Sequence, residues 1–229
     1  ITVNGQPVKE AVAAVIEWNG PFSAQHVRRL EQYRYLTRGK VGSTIQLKWR
    51  NPGGIEQQAS VKLRPEHASL TASSLFVDFD RDAPPVEYEI LKDSGLGYVR
   101  IWSLADDLNL TIRLFKRAVD LFIERKTPGM ILDLRKNLGG SPMGTGLAAY
   151  FTTEELDVMR GYYYSESLEH FDTHGPPDSI EPDEKLHYNG RIAVLISPAC
   201  ASACENVAWV FSQLPQVTVL GHYPSNGIM

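Results

Sequence analysis

The sequence predicts an α/β protein with a mostly parallel sheet and flanking helices, preceded by a smaller, mainly β region. Three segments, at 129–134, 191–196 and 217–220, are unbroken apolar runs separated by stretches of helical spacing. Strands that are apolar on both faces are typical of parallel sheets covered by helices. Residues 1–64 instead combine short strands with one helix, which indicates a separate, mainly β unit.

The composition fits this organisation. The chain has 229 residues, of which 43% are hydrophobic and 22% charged, and its formal net charge is −4. Such a chain accommodates one large domain or a medium domain with a small one. The charge does not suggest a nucleic-acid partner or an anionic membrane partner, and no apolar run approaches the ~20 residues of a membrane span. Both ends read as cut, and no signal peptide is evident, so we interpret the sequence as part of a longer protein.

The first region contains one strand, one helix and a hairpin. An Asn-Gly pair at 4–5 follows a strand and indicates a turn. Residues 23–36 have helical spacing, with Ser23 as the expected N-cap. Residues 42–49 alternate as a half-buried strand, and 59–63 pair back after a turn at 51–54. We assign residues 1–64 to this domain and 65–94 to a linker with a connecting strand.

The second region, residues 95–229, alternates strands and helices. Its predicted strands are 97–102, 129–134, 191–196 and 217–220. Its predicted helices are 109–125, 144–151 and 202–214. Residues 152–189 are rich in Tyr, Asp, Glu, His and Pro, and we expect an extended excursion over the sheet or a plain connecting loop. In such sheets ligand chemistry gathers at the carboxyl ends of the strands.

The cysteines and histidines do not form a recognisable metal site. Cys200 and Cys204 lack the second pair that a zinc site needs, and we expect them to be small packed side chains rather than a disulfide. His170 and His174 lie four residues apart without a third ligand at a usable spacing. We therefore predict no metal and no cofactor.

The first chemically informative motif is DLRKNLGG at 133–140, which follows an apolar strand. Glycine permits positive φ and a close backbone approach, so the amides of Gly139 and Gly140 can point into a cavity and serve as oxyanion donors. We expect Asp133 and Arg135 to brace this loop by ion pairing. An ordinary strand–turn–helix connection is the alternative.

The second motif is SPACASACE at 197–205, which follows the next long apolar strand and opens a helix. Small residues on both sides leave the Ser202 hydroxyl uncrowded at the helix start, where free N–H groups favour a developing negative charge. Alternatively, Ser202 is only an N-cap, with Glu205 completing a capping box.

Together the two motifs resemble the C-terminal-processing (tail-specific) serine peptidases of the S41 type. That family carries Asp-Leu-Arg-x-Asn-x-Gly-Gly at one strand end and Ser-Ala-Ser-Glu on a later helix. Residues 133–140 match the first motif, and residues 202–205 match the second as Ser-Ala-x-Glu, with Cys204 at the variable position. Residues 97–101 (GYVRI) and 217–221 (VTVLG) resemble further strands of the family. The resemblance covers about 130 residues and implies a ClpP/crotonase-like peptidase core.

The resemblance implies a role for each matched residue. Ser202 is the nucleophile, and the amides of Gly140 and Ala203 form the oxyanion hole while Gly139 permits the turn. Glu205 matches the acidic position beside the nucleophile, where it would hydrogen-bond the general base or the helix start.

The general base is not evident, although a serine hydroxyl needs one. The commoner branch of the family has a lysine in Gly-Glu-x-Thr-x-Gly-Lys-Gly, but residues 221–228 read GHYPSNGI, with Gly227 at the lysine position. The chain is therefore closer to the tricorn-like and retinoid-binding-protein-like branch. The base is then a histidine outside these residues or His222, or else the protein is non-catalytic. We expect His222 to be a surface or supporting residue, with the role of base as the alternative. The remaining histidines have no motif context: His26, His67, His170, His174 and His187.

Residues 1–64 resemble the latter part of a PDZ domain, which the family uses to hold substrate C-termini. The function implied is a serine endopeptidase that acts on proteins or peptides outside the cytoplasm. The alternatives are a non-catalytic protein that binds a peptide or an apolar ligand, and an interaction module that acts through the PDZ-like part alone. The sequence leaves the oligomeric state open.

Overall fold

The computed structural model describes residues 1–17, 22–73, 82–105, 107–159, 161–173 and 178–227. The chain divides into two compact units, Ile1–Val77 and Asp78–Met229. Within the described residues, no helix combines the length and the apolar character needed to cross a membrane.

The first unit is built on a four-stranded antiparallel sheet. Its strands, in the spatial order β2-β1-β3-β4, are β1 Thr2–Val3, β2 Gln6–Pro7, β3 Thr44–Arg50 and β4 Glu56–Lys62. Asn4 and Gly5 both have positive φ, as the predicted Asn-Gly hairpin turn requires. A small core of Val3, Ala11 and Ile45 stabilises the sheet.

Among the described residues, three helices belong to this unit, namely α1 Val8–Ala13, α2 Gln25–Tyr35 and α3 Ala68–Ala72. The helix predicted over 23–36 is α2, but Ser23 is not its N-cap. That position is occupied by Ala24, and no side chain caps the helix. The last of the three lies in the segment that we expected to be a linker, and residues 74–81 of that segment lie outside the described residues.

The second unit contains the predicted, mostly parallel sheet. Its strands, in the spatial order β13-β12-β7-β6-β5, are β5 Val86–Ile90, β6 Gly97–Ile101, β7 Gly129–Asp133, β12 Arg191–Leu195 and β13 Val217–Leu220. All neighbours are parallel except β5 and β6. The sheet therefore matches the fold class that the apolar strands predicted.

Helices cover this sheet and bury its apolar side chains. They are α4 Leu108–Glu124, a 3₁₀ helix at Pro142–Phe151, and α5 Ala203–Ser212. Asp107 caps α4 through a hydrogen bond from the Leu110 amide. Phe115, Phe151 and Phe211 are fully buried and in ring contact, so they join all three helices in one core.

The described residues of 152–189 form two antiparallel strand pairs, a hairpin and an outer pair whose strands precede and follow that hairpin in the chain. The strands are β8 Leu156–Met159, β9 Tyr162–Ser165, β10 His170–Thr173 and β11 Asp178–Ile180. Strand β8 pairs with β11, and β9 with β10. Ile180 and Tyr188 are buried in the main core, whereas the hairpin of β9 and β10 is exposed. The segment is thus anchored in the core by its last part, whereas the hairpin of β9 and β10 is exposed to solvent.

The register of the parallel strands positions the site. Leu195 pairs with Asp133, so β7 and β12 end at the same level. The Leu134 amide donates to Leu195 O at 2.9 Å, and the Ala201 amide donates to Asn137 O at 3.3 Å. The loops that carry the two sequence motifs therefore run side by side.

Candidate active site

The turn between β12 and α5 holds Ser202 in an unusual backbone conformation. Ser202 has φ 55° and ψ −125° and occupies the N-cap position of α5. Residues other than glycine rarely adopt positive φ, and such strain costs about 1–3 kcal/mol and persists only where the surroundings enforce it. Ser202 is half-buried, and its side chain makes no capping hydrogen bond. The capping-box alternative is therefore not what the structure shows, and the hydroxyl stays available.

The Gly-Gly loop packs directly against this serine. Gly139 has φ 95°, and a Cβ built on it would lie 2.6 Å from Ala201 O and 2.9 Å from the Ser202 Cβ. A side chain at this position would displace the serine turn. The glycine is required here for close approach as well as for its φ.

Asn137 organises the loop from inside. It is fully buried, and its Nδ2 donates to Ile101 O at 3.1 Å while its Oδ1 accepts from the Gly139 amide at 2.8 Å. The DLRKNLGG motif alone gives no indication of this role. A buried amide with both ends satisfied fixes a loop precisely, so Asn137 sets the position of the glycines.

Two backbone amides at this point are unused. Gly140 forms an isolated β-bridge with Leu104. In this bridge the Leu104 amide donates to the Gly139 carbonyl, and the Ser141 amide donates to the Leu104 carbonyl, so the Gly140 amide takes no part. In such a bridge the amide of the intervening residue faces the opposite way. Among the described residues, neither the Gly140 N–H nor the Ala203 N–H donates a hydrogen bond. These are the two donors that the family resemblance implies for an oxyanion hole.

Glu205 binds the segment that follows β13. Its Oε1 accepts the Gly227 amide at 2.5 Å, and the Gly227 carbonyl accepts the Ser202 amide at 3.2 Å. Gly227 thus pairs with the serine turn on the side away from Gly139. At the position where a lysine would stand in the commoner branch of the family, the structure has a glycine that holds the turn through its backbone. The sequence alone does not predict this role of Gly227.

The neighbouring Asn226 is buried without a side-chain partner. Its backbone amide donates to Cys200 O at 2.9 Å, and its side chain is 1% exposed. Neither amide atom of that side chain has a hydrogen-bond partner within the part of the chain that the structure describes.

Asp133 forms the predicted brace with Arg135 and a further bond that was not predicted. Its carboxylate accepts from Arg135 Nε at 2.9 Å and Nη2 at 2.7 Å, and from the Tyr98 hydroxyl at 2.7 Å. Burial opposes ionisation of the Asp133 carboxyl, but the hydrogen bonds from Arg135 and Tyr98 outweigh it and lower its pKa. Burial and the bond to Asp133 raise the pKa of Tyr98 to about 12. Ser197 Oγ also donates to Arg135 O, so this cluster ties both loops to the strand ends.

His222 lies at the carboxyl end of β13 and is exposed. Its ring meets the Tyr223 ring edge to face at 4.7 Å, and it lines a cavity of about 440 Å³ together with Arg135 and Ser197. The contact described for this ring is with Tyr223, not with Ser202, and the Ser202 side chain makes no capping hydrogen bond. The identity of the base remains a prediction.

The structure describes one of the two histidines that lie four residues apart, His170 and His174. His170 lies on β10, where its Nδ1 is 2.7 Å from Leu168 O. His174 lies outside the described residues. In the described ranges, no group of three or more His, Cys, Asp or Glu could hold a metal ion.

Cys200 and Cys204 form a disulfide, which corrects our prediction of two separate packed thiols. Their Cα atoms are 5.5 Å apart, within the range that a disulfide allows, and both residues are fully buried. The prediction failed because it treated the segment as helix, whereas α5 begins only at Ala203. Residues 200–202 turn sharply instead and bring the two side chains together.

Comparisons with known proteins agree with this architecture. The sequence profile of Peptidase family S41 matches residues 95–227, which is more than half of the chain. A comparison with curated proteins gave no match. Among solved structures, mature CPAF is 14% identical with a TM-score of 0.58, over 96% of this chain and 61% of its own. At this identity the likeness shows a shared fold.

Two further solved structures are similar over smaller shares of their length. A putative peptidase from Parabacteroides merdae is 25% identical over 63% of this chain and 45% of its own, with a TM-score of 0.47. The photosystem II D1 C-terminal processing protease is 17% identical over 95% of this chain and 49% of its own, with a TM-score of 0.43. The chain thus spans between 45% and 61% of the length of these three proteins.

Proposed function

Because the chain belongs to peptidase family S41, we propose that it carries the nucleophile and oxyanion hole of a serine endopeptidase that cleaves proteins or peptides. The observation that carries the proposal is the state of Ser202. Its φ is 55°, its hydroxyl is free of capping, and two unused amides lie on the loop and the helix that flank it. A strained residue with an available hydroxyl is a recurrent feature of functional sites.

The chemistry follows from this arrangement. The Ser202 Oγ attacks the carbonyl carbon of a peptide bond while its proton passes to the general base. The carbonyl oxygen becomes an oxyanion, which the N–H groups of Gly140 and Ala203 stabilise. The base then protonates the leaving amine, and water hydrolyses the acyl-enzyme. One such donor contributes about 2.7–4 kcal/mol to lowering the barrier.

We assign the base to a histidine outside these 229 residues, with His222 as the alternative. No described side chain is hydrogen-bonded to the Ser202 hydroxyl, and the glycine at 227 removes the lysine of the commoner branch. Glu205 supports catalysis indirectly, since its carboxylate holds the Gly227 amide beside the serine turn.

Substrate recognition through chain ends is assigned to the first unit. Its antiparallel sheet, with β2 and β4 at the edges, has the kind of edge to which an extended peptide adds as a further strand. We propose that it is the latter part of a PDZ domain. The buried disulfide supports an extracytoplasmic location, because disulfides persist in oxidising compartments.

A non-catalytic binding protein is the second candidate. It is favoured by one observation, namely the lack of a base bonded to Ser202 among the described residues. Such a protein would hold a peptide or an apolar ligand at the same site without cleaving it.

Digestion of a peptide library by the full-length protein distinguishes the two. We expect wild-type protein to yield products whose new C-termini share a sequence preference, and Ser202→Ala to yield none while it still binds the same peptides. If the wild type binds peptides and leaves them intact under oxidising conditions, the binding-protein function replaces the peptidase.

A further inference from the structure

The Cys200–Cys204 disulfide encloses the nucleophile. It closes a ring of five residues, CASAC, with Ser202 at the centre. Both cysteines are fully buried, as are Ala201 and, almost completely, Ala203. The steps of peptide cleavage proposed above do not involve the sulfur atoms.

The position of this bond suggests a local rather than a global role. A disulfide stabilises a fold mainly by closing a long loop in the unfolded chain, and this one closes a very short loop. The helix that follows is already anchored by buried Val207, Val210 and Phe211. What the bond constrains is the path of the three residues between its ends.

That path needs constraint because Ser202 is not a glycine. Its positive φ would relax if the turn were free to move. Gly139 packs on one side of the turn and Gly227 pairs on the other, both through non-covalent contacts. The disulfide ties Cys200, two residues before the serine, to Cys204 in the first turn of α5. It is the covalent restraint on this turn.

We propose that the Cys200–Cys204 disulfide is a positioning element for the nucleophile, which holds Ser202 in its reactive conformation and makes acyl transfer dependent on the oxidised state. The inference rests on the proposed peptidase function. Reduction by a dithiol breaks the S–S bond, transfers two electrons and two protons to the cysteines, and oxidises the dithiol to its own disulfide. The freed turn relaxes and Ser202 loses reactivity, whereas the sheet and helices remain.

The test compares the second-order rate of fluorophosphonate labelling in full-length wild type and in the Cys200→Ala/Cys204→Ala variant. We expect labelling of the variant to be slower by at least about tenfold, which corresponds to ~1.4 kcal/mol of barrier. Circular dichroism and cooperative unfolding should show that the variant is folded. For a cleaved peptide, kcat should fall while KM stays near the wild-type value, because the sheet and helices around the turn remain in place. A variant that is folded and labels within twofold of wild type would overturn the proposal.

Reduction of the wild type provides a control, because Cys200 and Cys204 are the two cysteines of these 229 residues and a reductant therefore acts on this disulfide. Dithiothreitol should slow labelling of the wild type, re-oxidation should restore it, and the double variant should not respond to either. If the variant does not fold, this reversible experiment on the wild type decides the question alone. A reduced wild type, verified by mass, that labels at the oxidised rate refutes the positioning role.

The outcomes separate this inference from the proposed function. If the oxidised, folded wild type does not label at all, the peptidase proposal fails. If it labels at Ser202 and is indifferent to the disulfide, the peptidase proposal stands and the positioning role alone is wrong.

Discussion

Replacing Gly140 by alanine should damage the stability of the second unit and the reactivity of Ser202 together. An alanine Cβ would lie 2.1 Å from the Leu104 carbonyl carbon and 2.2 Å from the Ala105 nitrogen, far inside any real contact. The bridge to Leu104 must therefore open, which sacrifices its two hydrogen bonds at a cost of about 1–3 kcal/mol. The φ of 135° adds strain of about 1–3 kcal/mol.

We therefore expect Gly140→Ala to lower the free energy of unfolding by about 2–6 kcal/mol, as measured by urea denaturation. Below the transition, fluorophosphonate labelling should slow by about 10²–10³-fold, since the displaced amide no longer meets the oxyanion.

Gly146→Ala is the matched control for this substitution. Gly146 lies in the 3₁₀ helix, and a Cβ built there meets no atom within 4 Å. Its unfolding free energy should stay the same or rise by up to about 1 kcal/mol, with labelling unchanged. The reasoning is wrong if Gly140→Ala behaves like Gly146→Ala in both measurements.

Three further predictions concern the groups around the turn. Ser202→Gly should be more stable than Ser202→Ala by about 1 kcal/mol in urea, because glycine relieves the positive φ; the reverse order would show that the turn is unstrained. Glu205→Gln should lower the free energy of unfolding by about 1 kcal/mol and slow fluorophosphonate labelling, because the hydrogen bond to the Gly227 amide is then no longer made by a charged carboxylate. Unchanged labelling would show that Glu205 does not position the serine turn. The folded pKa of Tyr98, about 12, lies above the ordinary 10.0, so its contribution to stability is present below pH 10 and declines up to pH 12. Between pH 10 and pH 12 the free energy of unfolding of the wild type should fall by up to about 2.7 kcal/mol more than that of Tyr98→Phe, and by less where solvent screens the interaction. Parallel curves of unfolding free energy against pH for the two proteins would contradict this.

The sheet of the second unit could be predicted because its signal is local. The strands at 129–133, 191–195 and 217–220 are mostly apolar runs separated by helical spacing, a pattern typical of parallel sheets covered by helices. The helix predicted over 144–151 is a 3₁₀ helix over Pro142–Phe151, where Pro142 and the two glycines weaken a regular α-helix.

The supporting residues of the site could not be predicted because their roles depend on distant partners. Asn137 reads as a polar loop residue, and its burial depends on the Ile101 carbonyl, 36 positions earlier. In the sequence Gly227 indicates only that the lysine of the commoner branch is absent. Its role beside the serine turn depends on hydrogen bonds with Ser202 and Glu205, which lie more than 20 residues earlier. The disulfide could not be predicted because a spacing of four residues fits two structures equally well. It fits two free thiols one turn apart on a helix, and it fits two cysteines bridged across a tight turn.

The proposed function depends most directly on Ser202 as a nucleophile, and labelling of the oxidised full-length protein with a fluorophosphonate tests this role. We predict one adduct per chain, mapped to Ser202 by peptide mass analysis, and none in a Ser202→Ala variant that unfolds cooperatively. A folded, oxidised wild type without an adduct, or an adduct that persists in Ser202→Ala, would contradict the account.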